Sequence, residues 1–348
     1  MSDSFTIVVC AATEMAGWRW LADRLPKLGL DWRFVYYRPI FLSMVIRKPD
    51  LRKVWSGWRA AWQARRLRAD LIISQEAEST FWSAFFCRLL GVTTPHVAIA
   101  FNYPHRPHGL RLWLMQKAFE RVHRFDVSSQ VEKNLYIEYF CIPAARLDVQ
   151  LWKMRRWDSS GATPLIAGDY VCALGEYGRD YPTMLKAIAR LPHINFVLVV
   201  RPYSLQGLHI PPNAKVLENI PHQEAYNIIN FSRFMVLPLA TSEMPTGHIT
   251  LVTAMHLAKA VVVTQSAGIS DYVRDDDNAL TFEAGDDAAL AERIKTLWQD
   301  PVRCLALGER AMVYALDHCS EEAAVTHLKQ LLLEYGAGKW VSTSSENG

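Results

Sequence analysis

Three short stretches of this chain carry side chains able to hold a phosphate or move a proton. The first is Thr246-Gly247-His248, which closes a polar loop running from Thr241 and opens a helix at about His248. The apolar run Phe234 to Leu237 precedes it and ends in Pro238, which has no N–H for a sheet ladder. In a strand, loop, helix unit such a loop faces the ligand crevice, and the helix start offers unpaired N–H groups with partial positive charge. Gly247 would let the backbone approach an anion, and Thr246 and His248 can donate hydrogen bonds to it. The same residues would serve equally as an N-cap and a plain turn. The second stretch is Asn102-Tyr103-Pro104-His105-Arg106-Pro107-His108, in which His105 has the side chain suited to acid–base work near neutrality. A surface loop stiffened by two prolines is the alternative. The third is Arg201, at the end of the apolar run Phe196 to Val200, a further phosphate contact.

The elements that position these stretches alternate. Strands are expected at Phe5–Ala11, Asp31–Tyr37, Leu71–Ser74, His96–Phe101, Phe125–Ser128, Asp169–Leu174, Phe196–Val200, Ala214–Leu217, Phe234–Leu237, Ala260–Thr264 and Ala279–Phe282. Helices are expected between them, including Met15–Leu28, and three more, 287–299, 301–317 and 321–333, close the chain. This order implies α/β architecture with parallel sheets. Glu14 and Gly17 fall in the first strand-to-helix turn, without the glycines of a dinucleotide fingerprint, so this half does not read as a nicotinamide binder. Residues 51–67 form an amphipathic helix with Leu51, Val54, Trp55, Trp58 and Trp62 on one face and Arg52, Lys53, Arg59 and Arg66 on the other. That stripe suits either an ordinary covering helix or one lying on anionic lipid, and the preceding apolar run Ile40–Ile46 with Arg47-Lys48-Pro49 is too short to span a bilayer.

At 348 residues, half of them apolar, the chain calls for two cored domains. The six cysteines show no paired spacing, which argues against zinc and against a secreted disulfide framework. A cytoplasmic protein is expected, with no signal peptide, no spanning helix and no nucleic-acid partner. Residues 1–150 carry 21 Lys and Arg against 13 Asp and Glu, a net +8, while the remainder carries 17 against 22, a net −5. The basic, Trp-rich half suits an anionic acceptor or a membrane surface, and a solvated basic face is the commoner alternative. The acidic turn Asp275-Asp276-Asp277 lacks the ligand spacing of a calcium loop, and no metal site is expected.

The segment Ala254-Met255-His256-Leu257-Ala258-Lys259-Ala260-Val261, with Gly268 to Val273 after it, resembles the donor-binding region of GT-B glycosyltransferases, in particular the retaining family four. Cys141-Ile142-Pro143 is similar to that family's Gly-Ile-Pro, and Gly175 with Arg179 to the glycine and the later cation of its diphosphate loop, although Glu176 stands where the family has an arginine. Of the family's two glutamates, Pro245 occupies the first place and Thr253 the second, and Glu243 is near enough to the first to substitute. The resemblance implies two Rossmann-like parallel-sheet domains facing a central cleft. Their bounds are 1–152 for the acceptor-side domain, 153–168 for a linker, 169–335 for the nucleotide-sugar domain and 336–348 for a flexible tail. It implies a hexosyltransferase of polysaccharide biosynthesis, moving sugar from a nucleotide-diphosphate donor to a glycan or lipid-linked acceptor with retention and without an obligatory metal or cofactor. Arg179, His105 and Glu243 would be catalytic. Gly175, Arg201, Thr246, Gly247, His248, Ile249, Thr250 and Thr253 would hold the donor. The expected place of work is the cytoplasm, at the inner face of the membrane. The missing glutamate leaves open a non-catalytic nucleotide-sugar or partner-binding protein, and a sugar-nucleotide epimerase shares the shape.

Overall fold

The computed structural model describes residues 4–12, 19–25, 29–37, 50–103, 106–240 and 245–341. His105, Glu243, Glu14, Gly17 and the run 40–49 lie outside the described residues. The chain divides into two units, 1–150 with 324–348, and 151–323.

In the first unit the chain runs β1 (Phe5–Ala11), α1 (Arg19–Ala22), β2 (Leu30–Tyr36), α2 (Leu51–Leu67), β3 (Leu71–Gln75), α3 (Ala77–Leu89), β4 (His96–Ile99), α4 (Gly109–Phe119), β5 (Arg124–Val127), α5 (Gln130–Tyr139) and β6 (Leu147–Val149). The strands form one parallel sheet in the order β2-β1-β3-β4-β5-β6. β1 and β3 are buried along their whole length, as continuous apolar runs must be when helices cover both faces. α2 settles which of its stripes is the inner one. Ser56, Gly57, Ala60, Ala61 and Ala64 are buried, while Trp55 and Trp62 are 45% and 40% exposed. A Cβ on Gly57 would come within 2.6 Å of the Trp82 backbone, so the missing side chain lets α2 and α3 pack closely. The tryptophans therefore lie on the outer side of a helix that covers the sheet with its small residues.

In the second unit the elements are β7 (Val171–Leu174), α6 (Tyr181–Ala189), β8 (Phe196–Val200), β9 (Ala214–Glu218), α7 (His222–Phe231), β10 (Phe234–Leu237), α8 (His248–His256), β11 (Val261–Thr264), β12 (Leu280–Phe282), α9 (Asp287–Gln299) and α10 (Pro301–His318). Its parallel sheet has the order β12-β11-β10-β7-β8-β9. The β-branched runs of β8 and β11 sit between two apolar layers, one built by α6 and α9, the other by α7, α8 and α10.

Two expected boundaries differ from the structure. The segment expected as a linker, 153–168, is part of the second unit: Met154, Trp157 and Ile166 pack on its core, and the Met154 N–H donates to the Cys319 carbonyl at 3.0 Å. The C-terminal helices α11 (Glu321–Glu334) and α12 (Gly338–Val341) belong largely to the first unit, where Leu328, Leu331 and Val341 join Ile7 and Leu71 in one core. His327 there pairs with the buried Asp126 at 2.6 Å. Trp340, expected in a frayed tail, fills the space a side chain at Gly29 would need. Helix periodicity is local, whereas the partner of an apolar stripe is not, which is why the return of the chain could not be read from the pattern.

Candidate functional site

The sheet of the second unit reverses its strand order between β7 and β10, and in a doubly wound sheet the ligand crevice opens beyond the carboxyl ends of those two strands. The loop after β7 runs from Gly175 to Asp180, and between β10 and α8 the described residues are 238–240 and 245–247. Backbone bonds join them: the Asp180 N–H donates to the Pro238 carbonyl and the Ala240 N–H to the Gly178 carbonyl, both at 2.9 Å. Gly175, Gly178 and Gly247 all have positive φ, at 124°, 63° and 96°, which an L side chain adopts only under strain.

The glycines make room for particular neighbours. A Cβ on Gly175 would lie 2.4 Å from an Arg179 terminal nitrogen, and one on Gly178 would lie 2.4 Å from the Thr246 hydroxyl. The Arg179 guanidinium therefore lies flat over Gly175. Its Nε donates to the Leu174 carbonyl at 3.0 Å, Nη1 to the Tyr177 carbonyl at 2.8 Å, and Nη2 to the Thr250 hydroxyl at 3.0 Å. Thr250 is in the first turn of α8, so Arg179 reaches the amino end of that helix. Among the described residues no carboxylate pairs with it. Burial lowers its pKa to about 10, and the Tyr181 side chain acts weakly the other way, so it stays a cation at neutral pH. Three of its five N–H groups are used in these bonds, and each terminal nitrogen keeps one more for an anion.

Four expected donor contacts stand otherwise. His248 turns inward: it is buried, its Nε2 donates to the Gly268 carbonyl at 2.9 Å, and its ring lies on Tyr272. Burial lowers its pKa against the opposing pull of that carbonyl, and only its backbone at the helix start remains for a ligand. Thr253 is also buried: its hydroxyl donates to the Ile249 carbonyl at 2.7 Å and lies 3.6 Å from the Met154 sulfur. Arg201 is neutralised, since its Nε donates to Glu176 at 3.1 Å and Nη1 to Asn219 at 2.9 Å. The Ile249 side chain is 49% exposed and presents no polar group. Thr246, Gly247, Thr250, Gly175 and Arg179 are brought together.

The sequence reading missed the role of Glu176. It accepts from both Tyr203 and Arg201, which hold its carboxyl below the usual range, the tyrosine bond contributing most. It also missed Tyr181, whose hydroxyl donates to the Gly175 carbonyl at 2.5 Å and fixes the turn under the guanidinium. The alternation of charge from Glu176 to Arg179 and Arg201 was the available signal. What it lacked was which of the two arginines the glutamate would take.

The family model described as Glycosyl transferases group 1 matches residues 170–300. Among curated proteins no sequence match is found. Solved structures with similar folds include a glycosyltransferase from Rickettsia africae at 12% identity and TM-score 0.72, covering 96% of this chain and 99% of that one. The sucrose-phosphate synthase of Thermosynechococcus elongatus is 14% identical with TM-score 0.74, at 96% and 99% coverage. Anabaena HepE in complex with UDP-glucose is 14% identical with TM-score 0.69, at 94% and 99% coverage. The two doubly wound sheets are those of the GT-B fold.

Proposed function

We propose, from the premise that this chain is a GT-B glycosyltransferase with a group 1 domain over residues 170–300, that it transfers a hexose from a nucleoside diphosphate donor held by Arg179 and the amino end of α8. One observation carries the reading. A guanidinium without a carboxylate partner among the described residues is bonded at 3.0 Å to the first turn of a helix that follows a positive-φ glycine. As the glycosidic bond opens, charge builds on the leaving diphosphate. A planar cation and the aligned N–H groups at Gly247 to Thr250 favour that charge where water is excluded. This arrangement neutralises the leaving group without a metal ion. Transfer with retention is the outcome the resemblance implies, the acceptor hydroxyl passing its proton to the leaving phosphate.

The buried Thr253 bears on specificity. With no carboxylate there, the ribose has one grip fewer than in the resembling family, and affinity should rest on the diphosphate. UDP is the first nucleotide to test because HepE is a UDP complex of the same fold. Thermal shift with UDP, GDP, ADP and their hexoses is the experiment, followed by product analysis on whichever stabilises the chain. A ligand at 100 times its Kd adds about 2.7 kcal/mol. No stabilisation by any nucleoside diphosphate would end the donor reading. Binding without turnover would favour a non-catalytic protein, and a donor converted to its epimer would favour the epimerase.

A separate observation supports work at a lipid surface, the cytoplasmic setting being an expectation from the sequence alone. Trp55, Trp58 and Trp62 stack along the outer side of α2, with ring centroids 4.7 and 6.2 Å apart, and Arg66 lies 5.1 Å over Trp62. No acidic residue occurs in Leu51–Leu67. Tryptophan at headgroup depth with arginines beside it is the composition of an interfacial helix. Among the described residues no helix is long and apolar enough to cross a membrane. The surface proposed as its partner is an anionic bilayer carrying the acceptor.

A further inference from the structure

The first unit has a switch point of its own, and the backbone there is strained. The chain passes from β1 to β2 on one side and from β3 onward to the other, so a crevice opens beyond the ends of β1 and β3. Glu76, the residue after β3, has φ 66° and ψ 162°, a combination otherwise confined to glycine. The fold holds it there. Its N–H donates to the Ile99 carbonyl at 3.1 Å, and its carbonyl accepts from the N–H and hydroxyl of Thr80 at 3.1 and 2.7 Å. Such a backbone aims the side chain where relaxed geometry would not.

The carboxylate so placed is half used. Oε1 accepts from the Tyr37 hydroxyl and, at 3.4 Å, from Ser79, while Oε2 has no hydrogen-bond partner among the described residues. Glu76 lines a pocket of about 430 Å³ together with Lys53, Glu78, Asn102, Arg106 and Arg111. Arg111 is taken by Glu78. Asn102 is fixed by a bond to the buried Glu132. Lys53 has no ion pair among the described residues and lies 5.8 Å from the centre of the Tyr37 ring. Burial and the neighbouring Glu76 raise the Tyr37 pKa, so the tyrosine remains a neutral donor to Oε1.

These groups discriminate between ligands. A carboxylate with an open lone pair accepts from hydroxyls and repels an anion set directly against it, whereas an unpaired ammonium attracts one. An apolar ligand would desolvate both without return. We propose that this pocket binds the acceptor of the transfer, a polyhydroxylated molecule bearing a phosphate, with Glu76 Oε2 accepting from one hydroxyl and Lys53 pairing with the phosphate. The proposal rests on the transferase reading above. Glu76 is then the residue that selects a hydroxyl-bearing substrate, and its strained backbone is the cost of putting a carboxylate where a glycine would fit best.

The test titrates the whole chain calorimetrically with glucose 6-phosphate and with monomeric dihexanoylphosphatidylglycerol, a free and a lipid-borne polyol phosphate. Wild-type protein should bind at least one of them. Glu76→Gly should weaken that binding tenfold or more while raising Tm, because glycine adopts this backbone freely and Tyr37 keeps the Ser79 hydroxyl at 2.8 Å. Glu76→Gln should also weaken it, and Lys53→Ala should remove the preference for glucose 6-phosphate over glucose when the free probe binds. Saturable binding of neither probe, or undiminished binding by Glu76→Gly, overturns the proposal. So does a Glu76→Gly protein with a lower Tm, which would make Glu76 a support for its loop. UDP, GDP and ADP titrated into the same samples separate the two readings: nucleotide binding without polyol phosphate binding defeats only this one, and no nucleotide binding defeats the donor reading.

Discussion

The two sheets reverse direction in the same way but equip the reversal with opposite chemistry. At the β7/β10 switch the positive-φ positions among the described residues are glycines, and a cation lies over one of them. At the β1/β3 switch the positive-φ residue among those described is Glu76, and the open group is a carboxylate. Glycine suits a site where the backbone itself must approach the ligand, as with a diphosphate at a helix start. A non-glycine residue under strain suits a site where a side chain must be aimed. One architecture can therefore offer an anion site and a hydroxyl site, and the difference lies in a few residues at strand ends.

The harshest way to break the comparison is to put a side chain where backbone approach is required. Gly247→Val should reduce sugar transfer to background. A Cβ at Gly247 would lie 3.0 Å from Leu239, and with φ at 96° the strain should also cost about 1–3 kcal/mol of stability. Turnover and melting temperature are measured together, and an active Gly247→Val enzyme would remove the helix start from the donor site. Next comes the outer surface of the first unit. Replacing Trp55, Trp58 and Trp62 by alanine should abolish salt-sensitive sedimentation with phosphatidylglycerol vesicles and leave the fold intact, since these rings are not its core. Equal partition of wild type to phosphatidylcholine vesicles would defeat the electrostatic part.

Arg179→Ala should weaken nucleoside diphosphate binding by about 1.5–3 kcal/mol, and Arg179→Lys should recover only part, because a point charge replaces a planar fork. Unchanged affinity would assign Arg179 to the turn alone. A smaller effect separates the units by pH. His96 is buried in the first sheet, where burial first and His123 second lower its pKa to about 3. Unfolding lets it take a proton below its ordinary value near 6.5, so its stabilising contribution is present above that pH and is lost as pH falls toward 3. At pH 5.5 the loss is on the order of 1 kcal/mol, and His96→Gln should flatten this part of the stability profile in chemical denaturation. The smallest expected effect is that of Thr253→Ala. Because its hydroxyl is spent on the Ile249 carbonyl, donor affinity should change by less than about 0.5 kcal/mol. A Thr253→Ala protein without donor binding would return Thr253 to the site.

By itself the sequence determined the alternation of strands and helices, because buried parallel strands are continuous apolar runs and turns are marked by Gly and Pro, signals carried within a few residues. It also determined that Thr246, Gly247 and Arg179 belong to loops at strand ends. Tertiary structure decided what long-range pairing decides. It gave Arg201 to Glu176 and left Arg179 without a carboxylate among the described residues. It turned His248 toward Gly268, turned the tryptophans of α2 outward because Gly57 and three alanines pack more closely, and returned α11 and α12 to the first unit. Glu76 was invisible for the same reason. Its φ is imposed by bonds to Ile99 and Thr80, one on the neighbouring strand and one on the following helix, and no local preference of glutamate points to it.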